Sequence, residues 1–205
     1  MPRAFTEKER RKIRSRLIDA GRASIMRFGV NQTSVEGTAE SAGISKASFY
    51  RFFRSKDDLY ASVLMSEIPA LSQRLIESSF GQTNDTREAL LLLMQAMGHE
   101  ITTNPLSRVL LWDQDQLKRL SRMTASEQLV DQASEVRTSL AQCIAVRQER
   151  GDIVEGDPNH LLCSIDLITA FVMNRGGLAA PIHDLACQVV VDGLTCPTKR
   201  NMKNP

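Results

Sequence analysis

At five points in this chain, each just ahead of a helical pattern, a side chain able to cap a helix stands three residues before an acid: Thr6 and Glu9, Thr33 and Glu36, Ser55 and Asp58, Asp85 and Glu88, Thr124 and Glu127. The cap oxygen accepts from an orphan N–H of the first turn and the acid reaches back to the cap, so each pair marks a helix start. Stops are marked as well. Gly29, Gly43, Gly151 and Gly176 follow helical patterns at points where a left-handed residue closes a helix. Pro158 and Pro181 suit first-turn positions, with Asp157 as the cap before Pro158. Strand-like alternation is nearly absent, so the expected fold class is all-α.

These signals predict about nine helices: 7–28, 34–42, 45–52, 56–79, 86–103, 106–121, 125–150, 158–175 and 182–195, the fourth kinked or interrupted at Pro69. A tail, 196–205, has little to bury. The expected organisation is a small N-terminal helical module over 1–55 and a larger helical body over 56–195, joined by the long helix 56–79.

Charge divides the chain in the same way. Residues 1–60 carry 13 Lys and Arg against 7 Asp and Glu, a net of +6, and the rest carries 13 against 17, a net of −4. A small basic part before a mildly acidic body suits a protein whose first part alone meets a polyanion, although a charged, solvated first helix would give the same asymmetry.

Several classes are disfavoured. Cys143, Cys163, Cys187 and Cys196 are far apart and lie on apolar helical patterns, which reads as reduced core thiols rather than a disulfide framework or a zinc site. The longest stretch without Asp, Glu, Lys or Arg is Ala89–His99, too short to cross a bilayer, and the charged N-terminus leads into no apolar run. No membrane partner, metal or cofactor is expected, and a cytoplasmic location follows. His99, His160 and His183 are isolated and the motifs of common hydrolases and nucleotide enzymes are missing, so an enzyme is not expected.

The most informative stretch is AGISKASFYRFFRSKDDL, Ala42–Leu59. On a helical wheel with Ser45 at zero, Phe49, Phe52 and Phe53 fall within about 80° of it, while Lys46, Ala47, Tyr50 and Arg51 lie opposite. The rings need a partner surface, which the first helix offers in Ile13, Leu17, Ala20, Ser24 and Phe28. A short turn containing Gly43 separates this helix from SVEGTAESA, the arrangement of a helix-turn-helix whose second helix enters a major groove. Arg51 and then Lys46 are the candidates for reading guanine, with Ala47 permitting close approach. Thr33, Ser45, Ser48, Tyr50 and Lys56 are candidates for phosphate oxygens. Arg3, Lys8, Arg10 and Arg11 read either as an arm that follows the DNA or as a solvated tail.

TSVEGTAESAGISKASFYRFFRSKDDLYASV, Thr33–Val63, resembles the DNA-binding signature of TetR-type bacterial transcriptional regulators. With the first helix ending MRFG, the resemblance covers roughly the first 63 residues. It implies phosphate contacts from Thr33, Ser48, Tyr50 and Lys56 and groove-facing positions at Lys46, Ala47 and Arg51. Gly37 and Thr38 stand where the family usually has a polar and then an aliphatic residue, which lowers helix propensity and puts a hydroxyl near the core.

The resemblance further implies a helical body that dimerises and often takes a small molecule. On the residues themselves, PNHLLCSIDLITAFVMN is apolar on most of its circumference and pairs with the last helix, so Leu161, Ile165, Ile168, Val172, Leu185 and Val189 are expected at a four-helix homodimer interface, a monomeric core hairpin being the alternative. Met94, Met97, His99, Trp112 and Asp113 are candidate contacts of a small-molecule effector, though Met and Leu at helical spacing also make plain core. The expected function is a sequence-specific regulator, a repressor released from a near-palindromic double-stranded DNA operator by an effector. A DNA-binding structural or adaptor protein of the same fold, controlled by a protein partner, is the second reading.

Overall fold

Three of the five cap pairs begin helices where they should. A computed structural model describes residues 5–124, 128–174 and 180–195, the side chains at 168, 170–174 and 180–183 excepted. Among these residues all regular structure is helical, in ten helices: α1 Glu7–Phe28, α2 Val35–Ser41, α3 Lys46–Phe49, α4 Lys56–Glu77, α5 Thr86–Thr103, α6 Pro105–Leu111, α7 Gln114–Thr124, α8 Gln128–Glu149, α9 Pro158–Asn174 and α10 Ala180–Thr195. Thr6 and Glu9 close a reciprocal capping box on α1. Ser55 Oγ accepts from Asp58 N at 3.1 Å at the start of α4, and Asp85 Oδ1 accepts from Glu88 N at 2.7 Å at the start of α5.

The other pairs depart from expectation for local reasons. Ser34, one residue beyond Thr33, is the N-cap of α2, its hydroxyl accepting from Gly37 N at 3.1 Å. Thr124 ends α7 instead of opening α8, its hydroxyl donating to Leu120 O at 2.8 Å, and Glu127 lies outside the described residues. The helix expected over 106–121 is two helices. Trp112 leaves helical geometry at φ −125°, and Asp113 Oδ1 accepts from Gln116 N at 2.9 Å, capping the second piece. Pro69 sits inside α4 without interrupting it, at the cost of the one donor its ring removes.

The chain forms two compact units, each drawn from two stretches: the described residues of Met1–Ile68 with Thr103–Ala133, and those of Pro69–Thr102 with Ser134–Pro205. In the first, α1 buries Ile13, Leu17, Gly21 and Ile25, a row at spacing four. Gly21 lets α4 come close, since a Cβ there would stand 3.1 Å from Leu59 Cδ2 and 3.3 Å from Val63 Cγ2. Ala20 and Ser24 flank that row, and Phe28, expected inside, is exposed beneath the Arg27 guanidinium. A polar seam joins α1, α4 and the start of α6. Arg22 Nη2 donates to Ser66 Oγ at 3.0 Å, Arg22 Nη1 lies 3.5 Å from the buried Glu67 carboxylate, and Asn104 donates to Glu67 Oε1 while capping α6. Such pairing is what allows a carboxylate to be buried at all.

In the second unit, α10 packs on α9, with Leu162, Ile165 and Val191 fully buried. Arg147 of α8 is buried and fastens the stretch before α5, donating to the carbonyls of Thr83 and Asn84 and to Thr86 Oγ1, which donates on to Asp152 at 2.9 Å. Of the cysteines, Cys187 is buried and Cys143 half-buried, whereas Cys163 is exposed beside the Arg137–Asp166 ion pair rather than in the core. Cys196 lies outside the described residues.

Candidate nucleic-acid interface

The site rests on how a four-residue helix is held. Phe49 and Phe53 are fully buried with ring centroids 5.7 Å apart, and Arg14 covers the Phe53 ring at 4.9 Å. Phe52 is only half-buried, packing on Phe5 at 5.9 Å and under Arg10 at 5.4 Å. The wheel placed all three rings inside because it assumed α-helical periodicity through residue 52. The helix in fact tightens after Phe49, where Arg51 N bonds Ser48 O and Phe52 N bonds Phe49 O, and each i→i+3 step rotates the chain further than an α-helical one.

The turn between α2 and α3 is built on Gly43. Its φ of +72° is left-handed, Ile44 N closes back onto Ala39 O at 2.9 Å, and Arg16 donates to Ala42 O. A Cβ at residue 43 would lie 2.9 Å from Arg16 Nη2, the movable end of a long side chain, so it is the backbone angle that calls for glycine. The substitutions that set α2 apart are accommodated as well. The Thr38 hydroxyl is buried but donates to Ser34 O at 2.8 Å, and Gly37 faces solvent.

Ser45, Lys46, Ala47, Tyr50 and Arg51 are exposed together on this motif, with Ser48 half-buried. Ser45 caps α3 through Ser48 N at 3.2 Å, and its hydroxyl also donates to Ser48 Oγ. Tyr50 is 52% exposed and stands edge-on to Phe49 at 5.4 Å. Arg51 lies over the Phe5 ring at 5.1 Å and its carbonyl accepts from Arg10, so the segment before α1 reaches the helix-turn-helix instead of leaving it. Lys56 Nζ donates to Val30 O at 3.2 Å, tying the start of α4 to the turn after α1. Thr33 differs from the rest. It is 4% exposed, its hydroxyl donates to Gly29 O at 2.9 Å and accepts from Ser24, and it is therefore a brace for the α1–α2 turn rather than a surface donor.

Lys46 Nζ is ion-paired to the Glu36 carboxylate of α2. The hydrogen bond between them raises the lysine and lowers the glutamate from their ordinary values. Phe5 and Glu36 are the residues that reading the sequence missed. Glu36 had been taken only as a capping acid, and a single aromatic ahead of a helix carries no signal of where it will dock.

Residues 17–63 match the pattern of the bacterial regulatory proteins of the tetR family, which spans the whole motif just described. The DNA-binding part of the chain, residues 17–63, is of the TetR type. An HTH-type transcriptional regulator of Mycobacterium bovis, itself uncharacterized, is 23% identical to this chain over 83% of its length and 85% of the relative's. The crystal structure of a TetR-family regulator from Mesorhizobium loti superposes with a TM-score of 0.60 at 20% identity, covering 92% of this chain and 96% of that one. That of AibR, in complex with isovaleryl coenzyme A and operator DNA, superposes at 0.52 and 17% identity over 91% and 100%. TetR-type proteins are transcriptional regulators, not enzymes.

The remaining candidates are dispersed in this chain. Met94 and Met97 are buried in the core of α5, and His99 of the same helix lines a cleft of about 510 Å³ with Arg74, Leu75, Leu92, Gln95 and Glu100. Arg74 grips Glu100 bidentately there, at 2.7 and 3.0 Å. Trp112, 41% exposed, and the capping Asp113 belong to the other compact unit, so no single unit holds all five. On α9, Ile165 is fully buried in its own unit and Leu161 half-buried, while Leu167 of α9 and Leu185 and Val189 of α10 are 60–69% exposed. The outward apolar face therefore runs through Leu167. The side chains of Ile168 and Val172 lie outside the described residues. Among the described residues no group of metal-ligating side chains occurs, and no helix is long and apolar enough to cross a membrane.

Proposed function

We propose that this protein is a sequence-specific transcriptional repressor that acts in the cytoplasm as a homodimer on a near-palindromic operator and is released from it by a small-molecule effector. The observation that carries the DNA contact is the division of the α3 segment into two faces: Phe49 and Phe53 anchored in the core, and Lys46, Ala47, Tyr50 and Arg51 turned out together. A helix so anchored offers two cations and a phenol to a groove at a fixed height and angle. Ser45, Ser48 and Lys56 serve the backbone, and Thr33 stays inside.

Homodimerisation is supported by Leu167, Leu185 and Val189, large apolar side chains left exposed on two adjacent helices. An N-terminal DNA-binding part and a regulatory body remain the functional division, α4 being the helix that runs from one to the other. That an effector acts at all draws support from AibR, whose structure is a complex with isovaleryl coenzyme A and operator DNA, and the class of effector for this chain is open to screening.

Selection of bound duplexes from a random-sequence library, followed by footprinting, tests the DNA-binding reading. A two-fold symmetric consensus protected on one face is the expected result, and no enrichment over random sequence would refute it. A thermal-shift screen of metabolites, read with release from the selected duplex, separates an effector-controlled repressor from an adaptor governed by a protein partner.

A further inference from the structure

Of the three cations placed at the interface, Arg51 rests on an aromatic ring and Lys56 on a carbonyl, whereas Lys46 is held by a carboxylate. Both members of the Lys46–Glu36 pair are more than half exposed. An exposed pair of this kind adds little to stability. The junction it spans is already closed by Gly43, by Arg16 on Ala42 O and by the buried Phe49. Its consequence therefore lies at the surface, where one of the outward cations is neutralised and a negative charge stands beside it.

We propose that Glu36 is a specificity-determining residue of the DNA interface, holding Lys46 so that DNA must offer it a base acceptor before the lysine changes partner. Duplex that presents only phosphate replaces one anion by another and brings its own charge against Glu36, so the exchange gains little. Duplex that presents the O6 and N7 acceptors of guanine at that point adds directional bonds that a carboxylate lacks. Glu36 weakens all binding, and weakens binding to wrong sequences more. This rests on the DNA-binding reading above.

The test measures Kd by fluorescence anisotropy on the selected duplex and on a random-sequence duplex over a salt series. Wild type is compared with Glu36→Gln, Lys46→Ala, the double variant, and Glu40→Gln, which removes a second exposed acid from α2. Glu36→Gln is expected to tighten random DNA about 3- to 10-fold, tighten the selected duplex less, and steepen the salt dependence on random DNA by about one phosphate contact. Glu40→Gln is expected to move both duplexes equally, as is Glu36→Gln placed on Lys46→Ala. Equal shifts from Glu36→Gln and Glu40→Gln, or an undiminished Glu36→Gln effect without Lys46, would overturn the proposal while leaving DNA binding intact. If wild type favours no duplex at all, the functional reading falls and the role of Glu36 falls with it.

Discussion

At the scale of single residues, hydroxyl groups separate side chains that look alike in sequence. Thr33 and Thr38 are both buried and both satisfied by backbone carbonyls, whereas the buried Tyr60 hydroxyl has no hydrogen-bond partner among the described residues. Burial, and then the charge of Asp113, push the Tyr60 phenol well above its ordinary value. An acid whose folded-state value is raised is neutral in the native protein and ionises first in the unfolded chain, so stability falls as pH rises past about 10. Tyr60→Phe is expected to raise stability at neutral pH by about 1 kcal/mol and to flatten the alkaline loss, both measurable by urea melts at pH 7.5 and pH 10.5. On the DNA face, Arg51→Ala should cost about 1–3 kcal/mol on the selected duplex and little on random DNA, while Lys56→Ala should weaken both alike. Equal losses on both duplexes for Arg51→Ala would remove it from base reading.

At the scale of elements, α3 is too short to be stable alone and exists because its surroundings over-determine it. Two devices share the work. Phe49→Ala, opening a cavity where the ring is fully buried, should cost about 3–5 kcal/mol of stability and abolish specific DNA binding even at temperatures where the chain remains helical by circular dichroism. Gly43→Ala forces an L-residue into positive φ and against Arg16 and should cost about 1–3 kcal/mol, with Gly43→Asn milder because asparagine tolerates the left-handed region. A melt in which Asn is no better than Ala at this position would assign the loss to the Arg16 contact instead of the backbone.

For the whole molecule, the exposed apolar side chains of α9 and α10 are the proposed assembly surface. Leu185→Glu with Val189→Glu should leave the fold intact, give a monomer by light scattering, and reduce operator affinity at least tenfold, since one recognition helix then reads a half-site alone. A variant that stays dimeric would place the interface elsewhere. The same burial pattern divides the predicted seam. Helical period identifies the apolar positions of α9, but which of two apolar stripes meets the chain's own core and which meets a partner depends on the helices around it, and Ile165 went to the core while Leu167 did not.

Local chemistry is what the sequence alone determined: the helical class, the starts at Thr6, Ser55 and Asp85, the glycine turn, and the outward company of Lys46, Ala47, Tyr50 and Arg51. Each depends on residues within a few positions of one another, whose caps, spacing and φ preferences act before any tertiary contact forms. Tertiary structure decided the rest. It buried Thr33, broke the helix at Trp112–Asp113, turned Phe52 towards Phe5, and set Glu36 against Lys46. Those outcomes turn on what faces a side chain across a turn or from another helix, and spacing along the chain carries no record of that.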